Sequence, residues 1–147
     1  MDKIFINTDG GSRGNPGPAA IGVVFYDAEQ KEIHGYGKFI GHKTNNEAEY
    51  EAIISALQTL TKSKWFAANN LSHKEVVCRL DSQLVVEQIN GNYKVKQDHI
   101  AVFISQIREL ITLMHLKISF VYVPREQNKR ADKYVNIALD TELKKAL

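Results

Sequence analysis

The chain has 147 residues, 44% of them hydrophobic and 24% charged, with a formal net charge of +2. This is the length and composition of one ordinary domain with a packed core, which excludes a disordered chain, and no apolar run reaches the roughly 18 residues that span a bilayer. So mild a charge permits contact with a polyanion without arguing for one. Cys78 is the only cysteine. It cannot form an internal disulfide, and inside an apolar run it reads as a small core residue. With no signal-peptide pattern at the N-terminus, a cytoplasmic protein is expected.

Residues 3–9 alternate and predict a strand that ends on Asp9. Gly10 to Pro18 is rich in Gly and Pro and predicts a wide hairpin turn. Ala20 to Tyr26 is β-branched and aromatic and predicts a second strand; 31–40 is a third, after a turn at 27–30. Short connections make these three an antiparallel meander. The period then changes. Ala48, Ala52, Ile53, Ala56, Leu57 and Leu60 recur at helical spacing, so 46–61 is an amphipathic helix. Residues 62–73 are mixed and read as a helix end and loop with an exposed Trp65-Phe66 pair.

Val76 to Asp81 continues as strand four, over 75–81. Ser82 caps a helix that runs to about Asn90 and closes at Gly91. Asp98 is the expected cap of the next helix, whose apolar face includes Ile100, Phe103, Ile104, Ile107 and Met114. Leu116 to Val123 is strand five. Pro124 to Lys129 is a polar loop, and 130–145 is the closing helix. The later strands are joined by helices and should pair in parallel. The expected fold is therefore α/β: a five-stranded mixed sheet, three antiparallel strands followed by parallel ones, flanked by helices in a single domain over 1–147.

Four acidic residues stand at element boundaries: Asp9 and Asp81 where apolar runs end, Glu49 in the first turns of a helix, and Asp132 at the start of the last helix. Such boundaries are where α/β proteins place their sites. Spacing alone does not show that the four converge. If they do, their mutual repulsion calls for cations, and hard oxygen ligands suit Mg²⁺ or Mn²⁺. Each position also has a plainer explanation: Thr44-x-x-Glu47 is a capping box, and Asp81-Ser82 is a common helix start. The glycine-rich stretch at 10–18 lacks the Gly-Lys-Ser/Thr of a phosphate loop and leads into a strand, so no nucleotide cofactor is expected. The five histidines form no metal-ligand pair, and no nucleophile elbow is present.

Taken together, Thr8-Asp9-Gly10-Gly11-Ser12-Arg13-Gly14-Asn15-Pro16-Gly17, Thr44-Asn45-Asn46-Glu47-Ala48-Glu49-Tyr50, Leu80-Asp81-Ser82-Gln83 and Val123-Pro124-Arg125-Glu126-Gln127-Asn128 with Ala131-Asp132 resemble the type 1 ribonuclease H family. The resemblance spans nearly the whole chain. It implies an endonuclease that hydrolyses the RNA strand of an RNA–DNA hybrid with two Mg²⁺ ions, or Mn²⁺, leaving 5′-phosphate and 3′-hydroxyl ends. Asp9 would bridge both ions, Asp132 would help hold one, and Glu49 and Asp81 the other. Asn15, Asn45, Ser82 and Gln83 match positions near the RNA strand, and Thr44 and Gln97 fall near positions that hold a DNA phosphate. A monomer is implied, with no membrane partner.

Two departures stand out. The loop 124–130 has no histidine, so Arg125 and Glu126 are the candidates for a loop role, beside the simpler reading that the loop only positions Asp132. The link Gly91 to Lys96 also replaces a basic insertion found in some members. The cations expected near the groove are then few: Arg13, Lys43, Lys94, Lys96 and Arg125. The rival readings are a transposase, integrase or junction resolvase with similar carboxylates, and a non-catalytic nucleic-acid-binding module on the same fold.

Overall fold

In the computed structural model, residues 3–64, 67 and 74–145 are described. Trp65 and Phe66 lie outside them. Five strands form one sheet in the order β3-β2-β1-β4-β5. They are β1 (Lys3–Ser12), β2 (Gly17–Tyr26), β3 (Glu32–Lys43), β4 (Glu75–Leu80) and β5 (Lys117–Tyr122). β1 pairs antiparallel with β2, and β2 with β3; β4 runs parallel to both β1 and β5. Among the described residues the helices include α1 (Asn45–Lys62), α2 (Gln83–Ile89), α3 (Asp98–Met114) and α4 (Lys129–Lys145), with a short 3-10 turn at Arg125–Gln127. The five-stranded mixed sheet flanked by helices that the sequence predicts is the one observed. Among the described residues no helix is long and apolar enough to cross a membrane.

Side chains alternate across the sheet. Ile4 and Ile6 of β1, Val23 and Phe25 of β2, and Val76, Cys78 and Leu80 of β4 pack with α1, α2 and α3 in one large apolar core. Each fully buried Ile or Leu there contributes about 1.5–3 kcal/mol. The opposite face is covered by α4 and has a small apolar cluster of Ala20, Val135 and Leu139. Buried Asn7 and Asp9 of β1 alternate with Ile4 and Ile6 and so face away from the large core.

Several boundaries move. β1 does not end on Asp9; pairing with β2 continues to Ser12↔Ala19, so the turn is short and Asp9 sits inside a strand. At Gly10 the backbone of α1 lies too close for a side chain, whereas a Cβ on Gly11 would meet nothing nearer than 3.9 Å. Asp98 is not the cap of α3. Gln97 occupies that position without a side-chain hydrogen bond, and Asp98 is in the first turn. There its charge still favours the helix N-terminus. The loop after β5 is not wholly irregular, since Arg125–Gln127 forms the 3-10 turn.

Candidate active site

Parallel pairing brings the C-terminal ends of neighbouring strands level. Thr8 pairs with Leu80, so Asp9 and Asp81 follow on adjacent strands. Glu49 arrives from the other side of the sheet. Thr44 and Glu47 close the capping box that starts α1, with Thr44 Oγ1 accepting from the Glu47 amide at 3.1 Å and Glu47 Oε1 from the Thr44 amide at 2.9 Å. The first turn of α1 then lies on Gly10. A Cβ on Gly10 would stand 2.3 Å from the Ala48 carbonyl oxygen. Glycine is required at that point by the approach of the helix backbone, and this approach puts Glu49 beside Asp9.

One carboxylate oxygen each from Asp9, Glu49 and Asp81 lie within 4.8 Å of one another. Asp9 and Glu49 are buried and Asp81 is partly so. Burial, then the charge of Asp81, pushes the Asp9 carboxyl up to about 7. Burial, then Asp9 and Asp81, raises Glu49 well above the usual carboxylate range. Packed this closely without a cation, the two carboxyls disfavour being charged together. Asp81 is also raised by burial, opposed by a hydrogen bond from Asn128 and by the charge of Arg125. Glu49 Oε2 is buried with no hydrogen-bond partner. A buried orphan oxygen among carboxylates is costly unless a cation meets it. The residues thus fit a hard divalent ion, whose preferred ligands are carboxylate oxygens.

Asp132 is placed differently. It is exposed in the first turn of α4 and is not part of the tight triad, but it lines the same open cleft of about 440 Å³ with Asp9, Glu49, Asp81, Arg13, Asn45 and Arg125. Its charge helps raise both Asp9 and Asp81. A neighbouring cleft of about 670 Å³ shares Glu49, Asp81, Asn45 and Arg125 and adds Asn15, Thr44, Ser82 and Gln97. It also includes His99, which no paired ligand marks in the sequence. Gln83 is exposed at the start of α2 and Glu126 is exposed in the 3-10 turn; neither is among the residues lining these two clefts.

Asn15 and Asn45 are joined to each other. Asn15 Oδ1 accepts from the Asn45 amide at 2.9 Å, and Asn45 Oδ1 accepts from the Ser12 amide at 2.8 Å. Both side-chain oxygens tie the β1–β2 turn to the start of α1, which leaves the amide nitrogens as the groups to offer a ligand. Ser82 Oγ caps α2 through the Val85 amide at 3.3 Å. Two of the five expected groove cations already have acidic partners: Arg13 meets Asp140 at 2.7 Å and Lys43 meets Glu51 at 3.8 Å. No local signal announced Asp140, which lies three helical turns after α4 begins.

Residues 7–138 match the family described as reverse transcriptase-like. The bifunctional protein Rv2228c of Mycobacterium tuberculosis is 37% identical over 145 residues, which cover 98% of this chain and 37% of that protein. Ribonuclease HI of Halobacterium salinarum is 39% identical over 132 residues, 90% of this chain and 62% of that protein. The chain thus spans from about a third to under two thirds of these curated relatives. LC11-RNase H1, isolated from compost, is 45% identical with a TM-score of 0.89, covering 97% of this chain and 99% of its own. The same enzyme has been solved with an RNA/DNA hybrid, at a TM-score of 0.87 and 43% identity over 95% of this chain and 99% of its own. With this agreement along almost its full length, the chain belongs to the type 1 ribonuclease H family.

Proposed function

We propose that this protein is a ribonuclease H that hydrolyses the RNA strand of RNA–DNA hybrids as an endonuclease, leaving 5′-phosphate and 3′-hydroxyl ends. The observation that carries the proposal is the carboxylate triad at one point of the cleft, with one Glu49 oxygen buried and unpartnered. Membership of the family and the hybrid-bound relative support the substrate class.

Asp9, Glu49 and Asp81 would hold one divalent ion, and Asp9 with Asp132 a second; Mg²⁺ or Mn²⁺ suits the donors. When bound, such a pair supplies charge stabilisation to the attacking and leaving oxygens of an in-line displacement. The chain itself does the positioning. Asp9 is held by the Gly10 amide, which donates to its Oδ1 at 3.0 Å. Asn15 and Asn45 keep their amide nitrogens for acceptors, as a ribose 2′-hydroxyl or a base edge would provide, and the 2′-hydroxyl distinguishes RNA from DNA. Ser82 and Gln83 stand at the head of α2 for the same strand. Thr44 and Gln97 flank the second cleft, where a phosphate of the DNA strand would lie. Arg125 lines both clefts and contributes positive charge to phosphate. The protein would act as a monomer.

The test is cleavage of end-labelled hybrid, duplex RNA, single-stranded RNA and duplex DNA, each with Mg²⁺, Mn²⁺ and EDTA. Hybrid alone should be cut, only with metal, with a 5′-phosphate on the downstream product. Cleavage of duplex DNA, or cleavage that survives EDTA, overturns the proposal.

A further inference from the structure

We propose that Asn128 is a positioning residue that ties together the three elements carrying Asp9, Asp81 and Asp132. The inference rests on the metal-site reading above and deepens it. Asn128 is fully buried and stands between the 3-10 turn and α4. Its side-chain amide donates to the Thr8 carbonyl at 2.9 Å, one residue before Asp9. Its side chain also lies near Asp81, whose charged form it favours. Its backbone carbonyl accepts from the Asp132 amide at 3.1 Å and so opens α4. One residue therefore touches β1, Asp81 and the helix that bears Asp132.

The plainer reading is a helix cap, since Asn at this position ordinarily offers its side-chain oxygen to an amide of the first turn. The geometry speaks against that. Asn128 Oδ1 is buried with no hydrogen-bond partner. The amide is turned the other way, toward Thr8 and Asp81. The orientation is fixed by chemistry, because the Thr8 carbonyl is an acceptor only and would repel Oδ1. The residue gives up the cap and leaves an acceptor unsatisfied in order to make contacts at the carboxylate site. The preceding residue is held alongside: Asn7 Nδ2 donates to the Gln127 carbonyl at 3.3 Å, and Arg79 Nε donates to Asn7 Oδ1 at 2.7 Å. The loop is thus docked on β1 at two successive residues.

Groups that orient metal ligands typically cost about 10–100-fold in metal affinity or activity when removed. Asn128→Ser is the main variant, because serine starts a helix well yet cannot reach both acceptors; Asn128→Ala is the second. Arg130→Ala is the control: it breaks the Arg130–Glu32 pair at 2.8 Å, loosening the same helix start without touching a carboxylate of the cleft. Mn²⁺ binding to the substrate-free protein is measured by calorimetry and hybrid cleavage by steady-state kinetics. Both Asn128 variants should bind Mn²⁺ about tenfold more weakly and lose about 10–100-fold in turnover with the Michaelis constant within about threefold. Arg130→Ala should leave Mn²⁺ binding unchanged.

Mn²⁺ affinity and turnover within about twofold of the parent in both variants overturn the inference, as does an equal loss in Arg130→Ala. Should neither Asn128 variant fold, the Asn128 side-chain amide resonance of the parent decides: it moves as Mg²⁺ is added if the tie to Asp81 is engaged, and its constancy overturns the inference. A parent whose Mn²⁺ affinity depends on Asn128 yet cuts no hybrid would sink the proposed function and leave this inference standing.

Discussion

The two faces of the sheet are built by different means. On the face under α1, α2 and α3, placement comes from bulk: many large aliphatic and aromatic side chains interlock, and Glu49 rides on a helix held by Ile53, Leu57 and Leu60. On the face under α4 the apolar cluster is small, and placement comes from close backbone approach and hydrogen bonds. A Cβ on Gly22 would lie 2.1 Å from the Ala131 carbonyl oxygen, and one on Gly37 2.3 Å from that of Tyr134. Asn7, Arg79 and Asn128 supply the polar ties. A site assembled across these faces joins a deeply buried pair, Asp9 and Glu49, to an exposed Asp132 whose position depends on fewer contacts.

The largest expected effect lies on the buried side. Asp9→Asn or Glu49→Gln should lower turnover on hybrid by on the order of 10³-fold or more, whereas Asp132→Asn should cost less, because a solvated rim carboxylate is more readily replaced by water. Equal losses in all three would erase the distinction between the faces. Gly22→Ala comes next. It forces α4 off the sheet and should destabilise by about 2–4 kcal/mol, seen as a lower urea midpoint; an unchanged midpoint would show that bulk packing, not close approach, seats α4.

The third prediction concerns charge. Folding raises the Asp9 carboxyl from 3.8 to about 7. The folded state therefore binds its proton more tightly than the unfolded chain does. Stability of the metal-free protein must fall as pH rises through that interval, and the penalty is complete above it. Asp9→Asn should accordingly raise the metal-free Tm at pH 8, by about 3–6 °C for a gain of about 1–2 kcal/mol, and leave it nearly unchanged at pH 4. A Tm that rises equally at both pH values would assign the effect to something other than carboxylate repulsion.

Smaller effects belong to the rim. Arg125→Ala should raise the Michaelis constant about three- to tenfold with little change in turnover, as for a uniform phosphate contact, while Glu126→Gln stays within about twofold. A large fall in turnover for Glu126→Gln would give the loop a catalytic part. The smallest effect is expected from Asp140→Asn, which releases Arg13 from its exposed pair. Such pairs are worth about 0–1 kcal/mol, so affinity for hybrid should improve by about twofold, most visibly at low salt. A weaker affinity would mean that Asp140 aims Arg13 at phosphate instead of withdrawing it.

Among the described residues, the five strands, the helices and the capping box at Thr44 were legible in the sequence, because alternation, helical spacing and caps are local signals. The motifs at element boundaries singled out four acids, of which the structure groups Asp9, Glu49 and Asp81 tightly and sets Asp132 on the rim of the same cleft. The exact end of β1 was not legible. A strand carrying Gly10 and Gly11 looks like a turn until the helix lying against it is known. Nor did the chain mark Asn128 as a junction. Its contacts with Thr8 and Asp81 join residues 120 and 47 positions apart, and an Asn before a helix reads locally as a cap. The pairing of Arg13 with Asp140 and the unequal exposure of the four acids are likewise outcomes of packing. Periodicity and capping depend on neighbours along the chain, so the sequence determines them. Which carboxylate loses its water, and which amide turns toward it, depends on the distance between elements that only the assembled sheet and helices set.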